Sequence, residues 1–81
     1  MIGVSRHNSP MRVTHDRAVN AAYIYLTDEP LSPGRETVIP ELPTGVDGEV
    51  VLDFRDGRLV GIEILGASRL LHRDLLAEAS S

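Results

Sequence analysis

Glu49-Val50-Val51-Leu52-Asp53-Phe54-Arg55-Asp56-Gly57-Arg58-Leu59-Val60-Gly61-Ile62-Glu63-Ile64-Leu65-Gly66-Ala67-Ser68 is the stretch on which the rest of the chain has to pack. Period-two alternation sets Val50, Leu52 and Phe54 on one side of a first strand, with Glu49, Val51, Asp53 and Arg55 on the other. After Asp56-Gly57, a second strand has Val60, Ile62 and Ile64 as its strongest apolar set. A two-residue turn would pair Phe54 with Leu59 and Val50 with Glu63, sending the two apolar sets to opposite faces, because a one-residue slip flips every side chain. A three-residue loop of Arg55, Asp56 and Gly57 pairs Phe54 with Arg58, Leu52 with Val60 and Val50 with Ile62. It also gives Gly57 the positive φ that a type I turn with a G1 bulge requires. That second register is the expected one, with Glu49 opposite Glu63 as its one like-charge pair.

Working outward, Met11-Arg12-Val13-Thr14-His15 alternates and is β-prone, which predicts a first strand. Asp16 to Asn20 is a short connection whose Asp16 and Asn20 suit side-chain-to-backbone turn bonds. Ala21 to Thr27 is a second strand, antiparallel to the first, with Ala22, Ile24 and Leu26 on one face and Ala21, Tyr23 and Tyr25 on the other. The turn residues of 28–34 make a loop. Arg35 to Ile39 reads as a short strand stopped by Pro40 and confined by it to a sheet edge. Pro40 to Gly48 is a second loop. Beyond the central hairpin, Ser68 can cap a helix from about Arg69 to Glu78, whose Leu71, Leu75 and Leu76 form a short apolar stripe. Asp74 offers a second start that would split this helix in two. The docking surface for it is the Leu52, Val60 and Ile62 face. Residues 1–10 are polar and unpatterned, so the expectation is a disordered leader followed by one domain over 11–79. The predicted fold class is α+β: a small antiparallel sheet of four to five strands, meander-like, around the hairpin 49–65, with one C-terminal helix on one face.

Composition narrows the function classes. At 81 residues the chain buries only about 60% of the surface its unfolded form exposes, so its core is small. One Phe, two Tyr and no Trp make that core aliphatic, and the absence of Cys removes disulfides and thiolate metal sites. No apolar run approaches the roughly 20 residues of a membrane span, and the N-terminus lacks the layout of a signal peptide, so a cytoplasmic protein is expected. A net charge of −4 without a basic cluster argues against nonspecific nucleic-acid binding.

Val13-Thr14-His15-Asp16, Ala21 to Leu26, Val51-Leu52-Asp53 and above all Gly57 to Ser68 resemble the small bacterial proteins of unknown function grouped as DUF2283, the YuzE-like family. The resemblance spans about Met11 to Leu71. It implies a small antiparallel sheet with a C-terminal helix, carries no established activity, and implies, from relatives encoded beside toxin-like small proteins, an antitoxin-type partner role. Ala18 and Asn20 stand where the family pattern D-x-E-A-D-A has acidic residues, and His15 where Tyr is usual. The resemblance therefore implies no metal or carboxylate cluster at that turn.

Individual residues offer little catalysis. His15 followed by Asp16 lacks a nucleophile in a recognisable context. Asp53 and Glu63 share a face of the hairpin, where they could act as an acid pair or, more simply, as the charges of a solvated face. The calcium-loop spacing is missing around Asp47 and Asp56. A small-ligand site or minor hydrolase would need His15, Asp16, Asp53 and Glu63 to converge. No catalytic residue, metal ligand or cofactor is assigned. The second sheet face is more informative, because Tyr23, Tyr25, Val51, Leu59 and Leu65 make it unusually apolar for a surface that one helix cannot cover. A non-enzymatic interaction module is the expectation: a homo-oligomer, a dimer first, built through that face or a strand edge, with a protein partner.

Overall fold

The computed structural model describes residues 12–28 and 34–79. The predicted leader 1–10, Met11 and most of the loop 28–34 lie outside those residues. Five strands form one antiparallel sheet: β1 (Arg12–Asp16), β2 (Ala21–Tyr25), β3 (Glu36–Val38), β4 (Glu49–Arg55) and β5 (Arg58–Leu65), in the order β1-β2-β5-β4-β3. The fold is α+β, as the alternating pattern requires. Two short helices, α1 (Ala67–Leu70) and α2 (Arg73–Glu78), replace the expected single one. Each edge strand is short, and β3 is exposed along its whole length; it ends two residues before Pro40, which cannot donate to a ladder.

The central hairpin corrects the expected register. Asp56 (φ 53°) and Gly57 (φ 79°) both occupy the left-handed region, which is the requirement of a two-residue type I′ turn. Phe54 pairs with Leu59 and Arg55 with Arg58, the register that on its own would waste the apolar pattern. A β-bulge resolves the conflict. The pairing steps from Phe54 with Leu59 to Asp53 with Gly61, leaving Val60 as the extra residue. Above the bulge Leu52 faces Ile62 and Val50 faces Ile64, so the two apolar sets share a face after all. Glu49 stands opposite Leu65, not Glu63. The carbonyl of Val60 accepts a hydrogen bond from the Leu26 N–H at 3.0 Å, so the residue dropped from the β4 ladder is taken up by the chain leaving β2.

Register carries the same face across the sheet: His15 lies opposite Ala22, Ala22 opposite Ile64, and Ile24 opposite Ile62. Both helices pack on this side. Ala22, Ile64 and Ala67 are its buried centre, with Val50, Ile62, Leu70, Leu71 and Leu76 packed around them. The core therefore sits at the end of the hairpin remote from the turn, and the dock is Ala22, Val50, Ile62 and Ile64, in place of the expected Leu52, Val60 and Ile62.

The helix starts also differ from expectation. Gly66 (φ 82°) occupies the cap position of α1 and supplies no side chain; Ser68 lies inside the helix, where it cannot cap it. The cap comes from elsewhere in the chain. Asn20, held at φ 54°, accepts the N–H groups of Gly66 (3.0 Å) and Ala67 (2.9 Å) on its carbonyl. Its Oδ1 accepts the Ser68 N–H at 3.1 Å, and its Nδ2 donates to Ser68 Oγ at 2.9 Å. Asn20 thus does for α1 what an N-cap side chain does locally, satisfying donors that a helix start leaves orphaned. The second start at Asp74 is real: His72 Nδ1 accepts the Asp74 N–H at 3.1 Å and caps α2.

Candidate functional site

The sheet face turned away from the helices is assembled from alternate residues of four strands: Arg12, Thr14 and Asp16 on β1, Ala21, Tyr23 and Tyr25 on β2, Gly61, Glu63 and Leu65 on β5, and Val51 and Asp53 on β4. Thr37 of β3 stands opposite Asp53 and completes the row. At its centre is a polar contact that crosses a strand. The Tyr23 hydroxyl donates to Asp53 Oδ2 at 2.6 Å, a length typical of a charge-assisted bond. Thr37 Oγ1 donates to Asp53 Oδ1 at 3.0 Å. Asp53 is 6% exposed, so both carboxylate oxygens are satisfied by hydroxyl donors where an unpaired charge would be costly.

Tyr23 belongs to β2 and Asp53 to β4, with β5 between them. The ring reaches across because the residue beneath it is Gly61. A Cβ at that position would collide with the Tyr23 hydroxyl and ring. An isolated glycine inside a strand often marks such a close approach, and that is its role here.

A second contact organises the outer part of the face. The Tyr23 and Tyr25 rings meet edge-to-face, centroids 4.6 Å apart at 63°, and the Arg12 guanidinium lies 3.8 Å from the Tyr25 centroid. Arg12 is paired directly with Tyr25 in the β1–β2 ladder, so this stack follows from register. Arg12, Tyr25 and Tyr23 form a row whose geometry is fixed by the backbone and by the Asp53 anchor.

Burial, then the hydrogen bond to Asp53 and the nearby Asp53 charge, push the Tyr23 phenol well above its ordinary value near 10. Because its folded pKa is raised, Tyr23 contributes stability that is fully present below pH ~10, where the unfolded phenol is still protonated, and is lost as the pH rises above that value. The chain has only two tyrosines. In a Tyr25→Phe variant, absorbance at 295 nm is therefore expected to show no phenolate until the protein unfolds in alkali. A reversible titration near pH 10 with the fold intact would contradict the Tyr23–Asp53 contact.

The other sequence candidates fall in separate places. His15 lies on the helix side of the sheet, where Nε2 is 3.2 Å from Asn20 Oδ1. Asp16 Oδ1 accepts the Ala18 N–H at 3.0 Å in a local turn. These two line a recess at the sheet edge with Thr14 and Arg17. Asp53 and Glu63 are on the face opposite His15, the face that also carries Asp16 at its β1 edge, with Glu63 between Tyr23 and Val51 in register. The four side chains do not converge on one point. Val51 and Leu65 share the tyrosine face, whereas the Val60 bulge sets Leu59 opposite Phe54, in an open cleft with Leu26, Arg55 and Arg58. Among the described residues no group of three or more His, Asp or Glu side chains is placed to hold a metal ion, and no helix is long and apolar enough to cross a membrane.

Arg12, Thr37 and Gly61 were not singled out by sequence reasoning. Gly61 alone carried a signal, as a glycine flanked by Val60 and Ile62 in a strand. The other two depend on strand order, which is set by a long-range pairing.

No curated protein and no solved structure matches this chain. A family model does, described as a protein of unknown function, DUF2283, over residues 12–68. That span runs from the start of β1 through the bulged hairpin into α1, the whole framework that carries the tyrosine face and the Asn20 cap, and the chain is a member of the DUF2283 family.

Proposed function

We propose that this protein is a non-enzymatic interaction module that presents the Arg12, Tyr25 and Tyr23 row to a protein partner and assembles with itself. The observation that carries the reading is the anchoring of that row: Tyr23 is tied to Asp53 at 2.6 Å, Tyr25 packs against Tyr23, and Arg12 stacks on Tyr25. Tyr and Arg are the residue types that dominate binding energy at protein interfaces, and a pre-fixed geometry lowers the ordering cost of association. The most buried acid on the face is consumed by this anchoring, both of its oxygens engaged, which makes it a structural acceptor in place of a base. Both helices lie on the other side, so neither helix covers the row.

The test is capture of partners from the native host on tagged protein, with mass-spectrometric identification, using wild type, Tyr25→Ala and Leu59→Asp. A partner specific to this face is retained by wild type and by Leu59→Asp, whose site lies off the row, and is lost with Tyr25→Ala by roughly 30-fold or more in affinity, the scale of an interface hot spot. A small toxin-like protein in that differential set would give the narrower, antitoxin-type form of the reading. Equal capture by Tyr25→Ala and wild type would refute the assignment of the face.

A further inference from the structure

β3 ends the sheet on the side away from β1, and among the described residues no strand lies on its outer side. All three of its residues are exposed, and so is every position from Gly34 to Glu49 except Pro40 and Leu42. Two properties coincide along this edge. Val38, Ile39 and Val46, at 47%, 58% and 40% exposure, are three of the five large aliphatic side chains that the described residues leave open to solvent. Glu36, Glu41, Asp47 and Glu49 are exposed as well, and no basic residue stands between positions 36 and 54. Asp47 is paired with Arg69 at 2.8 Å. Among the described residues the three glutamates have no ion-pair partner.

We propose that the β3 edge receives an extended segment of another protein that carries both basic and aliphatic side chains, added as a strand beside the five of the sheet. This goes beyond the tyrosine row, which stands on β1 and β2. A strand edge presents unpaired N–H and C=O groups, and a peptide that joins it gains main-chain hydrogen bonds while its side chains supply specificity. β3 is a prepared template for such a segment. Besides its ladder with β4, Thr37 Oγ1 donates to Asp53 Oδ1 at 3.0 Å, which pins the middle residue of the strand to the sheet.

Three residues offer few main-chain bonds, so side chains must carry the rest, and the register sets which. Glu36 and Val38 share the face of Phe54 and Leu52, while Thr37 takes the opposite one. A basic residue across from Glu36 and an aliphatic one across from Val38 are the favourable partners. Ile39 and Glu41 continue the same combination of apolar and acidic groups beyond the strand. Charge then decides between a foreign segment and a second copy. Parallel pairing of two β3 edges would set Glu36 directly against Glu36. Antiparallel pairing about Thr37 would set Glu36 against Val38 twice and bring the acids of both copies to one seam, with no cation between positions 36 and 54 to offset them. The edge therefore repels its own kind and complements a cationic partner.

Peptide binding to the full chain, followed by fluorescence anisotropy, tests this. The probes are labelled octapeptides of alternating arginine and valine, of glutamate and valine, and of arginine and serine. The arginine–valine probe should bind wild type tighter than either of the others by roughly fivefold or more. Glu36→Arg and Ile39→Ser, at exposed positions where circular dichroism should show the fold intact, should each weaken it by roughly fivefold. Glu78→Arg makes the same charge change on an exposed residue of α2 and should leave binding unaltered. The double variant E36R/E41R should prefer the glutamate–valine probe. Methylating alternate backbone nitrogens of the arginine–valine probe removes its ladder donors without touching the protein, and should weaken binding by roughly tenfold. Equal binding of the arginine–valine and arginine–serine probes, an equal loss from Glu78→Arg, or undiminished binding of the methylated probe would overturn the proposal. A wild-type dimer in sedimentation velocity that Ile39→Ser dissolves, with no probe bound, would overturn it too and give the edge to a second copy.

Discussion

Gly61→Ala is expected to lower stability by about 2–3 kcal/mol, a large loss from a methyl group added to a strand. Alanine is ordinarily the better strand residue, since glycine surrenders more backbone entropy. At Gly61 the added Cβ occupies the place of the Tyr23 hydroxyl and ring, and Tyr23 must swing away from Asp53. The carboxylate, 6% exposed, then keeps only Thr37. Hydrogen bonds to charged groups contribute roughly 1.5–3 kcal/mol, and leaving a buried one unmade costs the desolvation of the group as well. For a domain of this size each kcal/mol moves the melting midpoint by roughly 4–8 °C, so a fall of about 10–20 °C should be visible by thermal unfolding. The cause is separable from a general intolerance of the strand. If Tyr23 is the obstacle, Gly61→Ala should cost much less in a Tyr23→Leu background, and the double-mutant cycle should return a coupling above about 1 kcal/mol. Additive costs would show that the glycine serves some other purpose.

Asn20→Ala should cost a similar amount, about 2–3 kcal/mol, for a different set of reasons. The residue sits at φ 54°, where an ordinary L-residue carries a penalty of roughly 1–2 kcal/mol and asparagine much less. Its side chain also supplies the missing cap of α1, and loss of a cap costs about 1 kcal/mol. Asn20→Gly separates the two contributions, because glycine keeps the backbone and removes the side chain; it should be the milder variant by about 1 kcal/mol. Chemical denaturation gives the ranking, and amide hydrogen exchange gives the location. Faster exchange at Ser68, whose N–H is bound by Asn20 Oδ1, should appear in both variants. Wild-type protection at Ser68 in Asn20→Gly would sink the capping argument.

The contrast between what the residues announced and what they concealed follows the range of the interactions. Strand identities, the pairing of β1 with β2 and the edge position of β3 rest on alternation and turn residues within a few positions, and these were readable. So was the requirement that Val50 and Leu52 share a face with Ile62 and Ile64. The means of meeting it was not, because Leu59 and Val60 carry nothing to mark one of them as a bulge; a three-residue loop and a two-residue turn plus bulge satisfy the same pattern. The split between α1 and α2 was half visible in Asp74, while Ser68 misled: a serine before a helical run is a natural cap, but here its hydroxyl is taken by Asn20. Asp53 shows the limit most clearly. As a sequence position it is one acid on the polar side of a hairpin. Its buried role depends on Tyr23 arriving from β2, and nothing local fixes that β2 lies beside β5.

That neighbour relation has a consequence for how the chain finds its structure. Three of the four strand pairings, β1 with β2, β3 with β4 and β4 with β5, join elements consecutive in sequence. The fourth joins Tyr25 to Gly61 and Ala21 to Leu65, and the Asn20 cap and the Tyr23–Asp53 bond lie along it. The molecule is therefore two locally closed pieces, an N-terminal hairpin and a C-terminal bulged hairpin with its helices, zipped along a single seam. Local pairs close quickly, and the entropy of the long loop is recovered only when the seam forms. The transition state for folding is thus expected to be the meeting of β2 with β5, and the residues that most define the exposed face are also those that commit the chain to its native form.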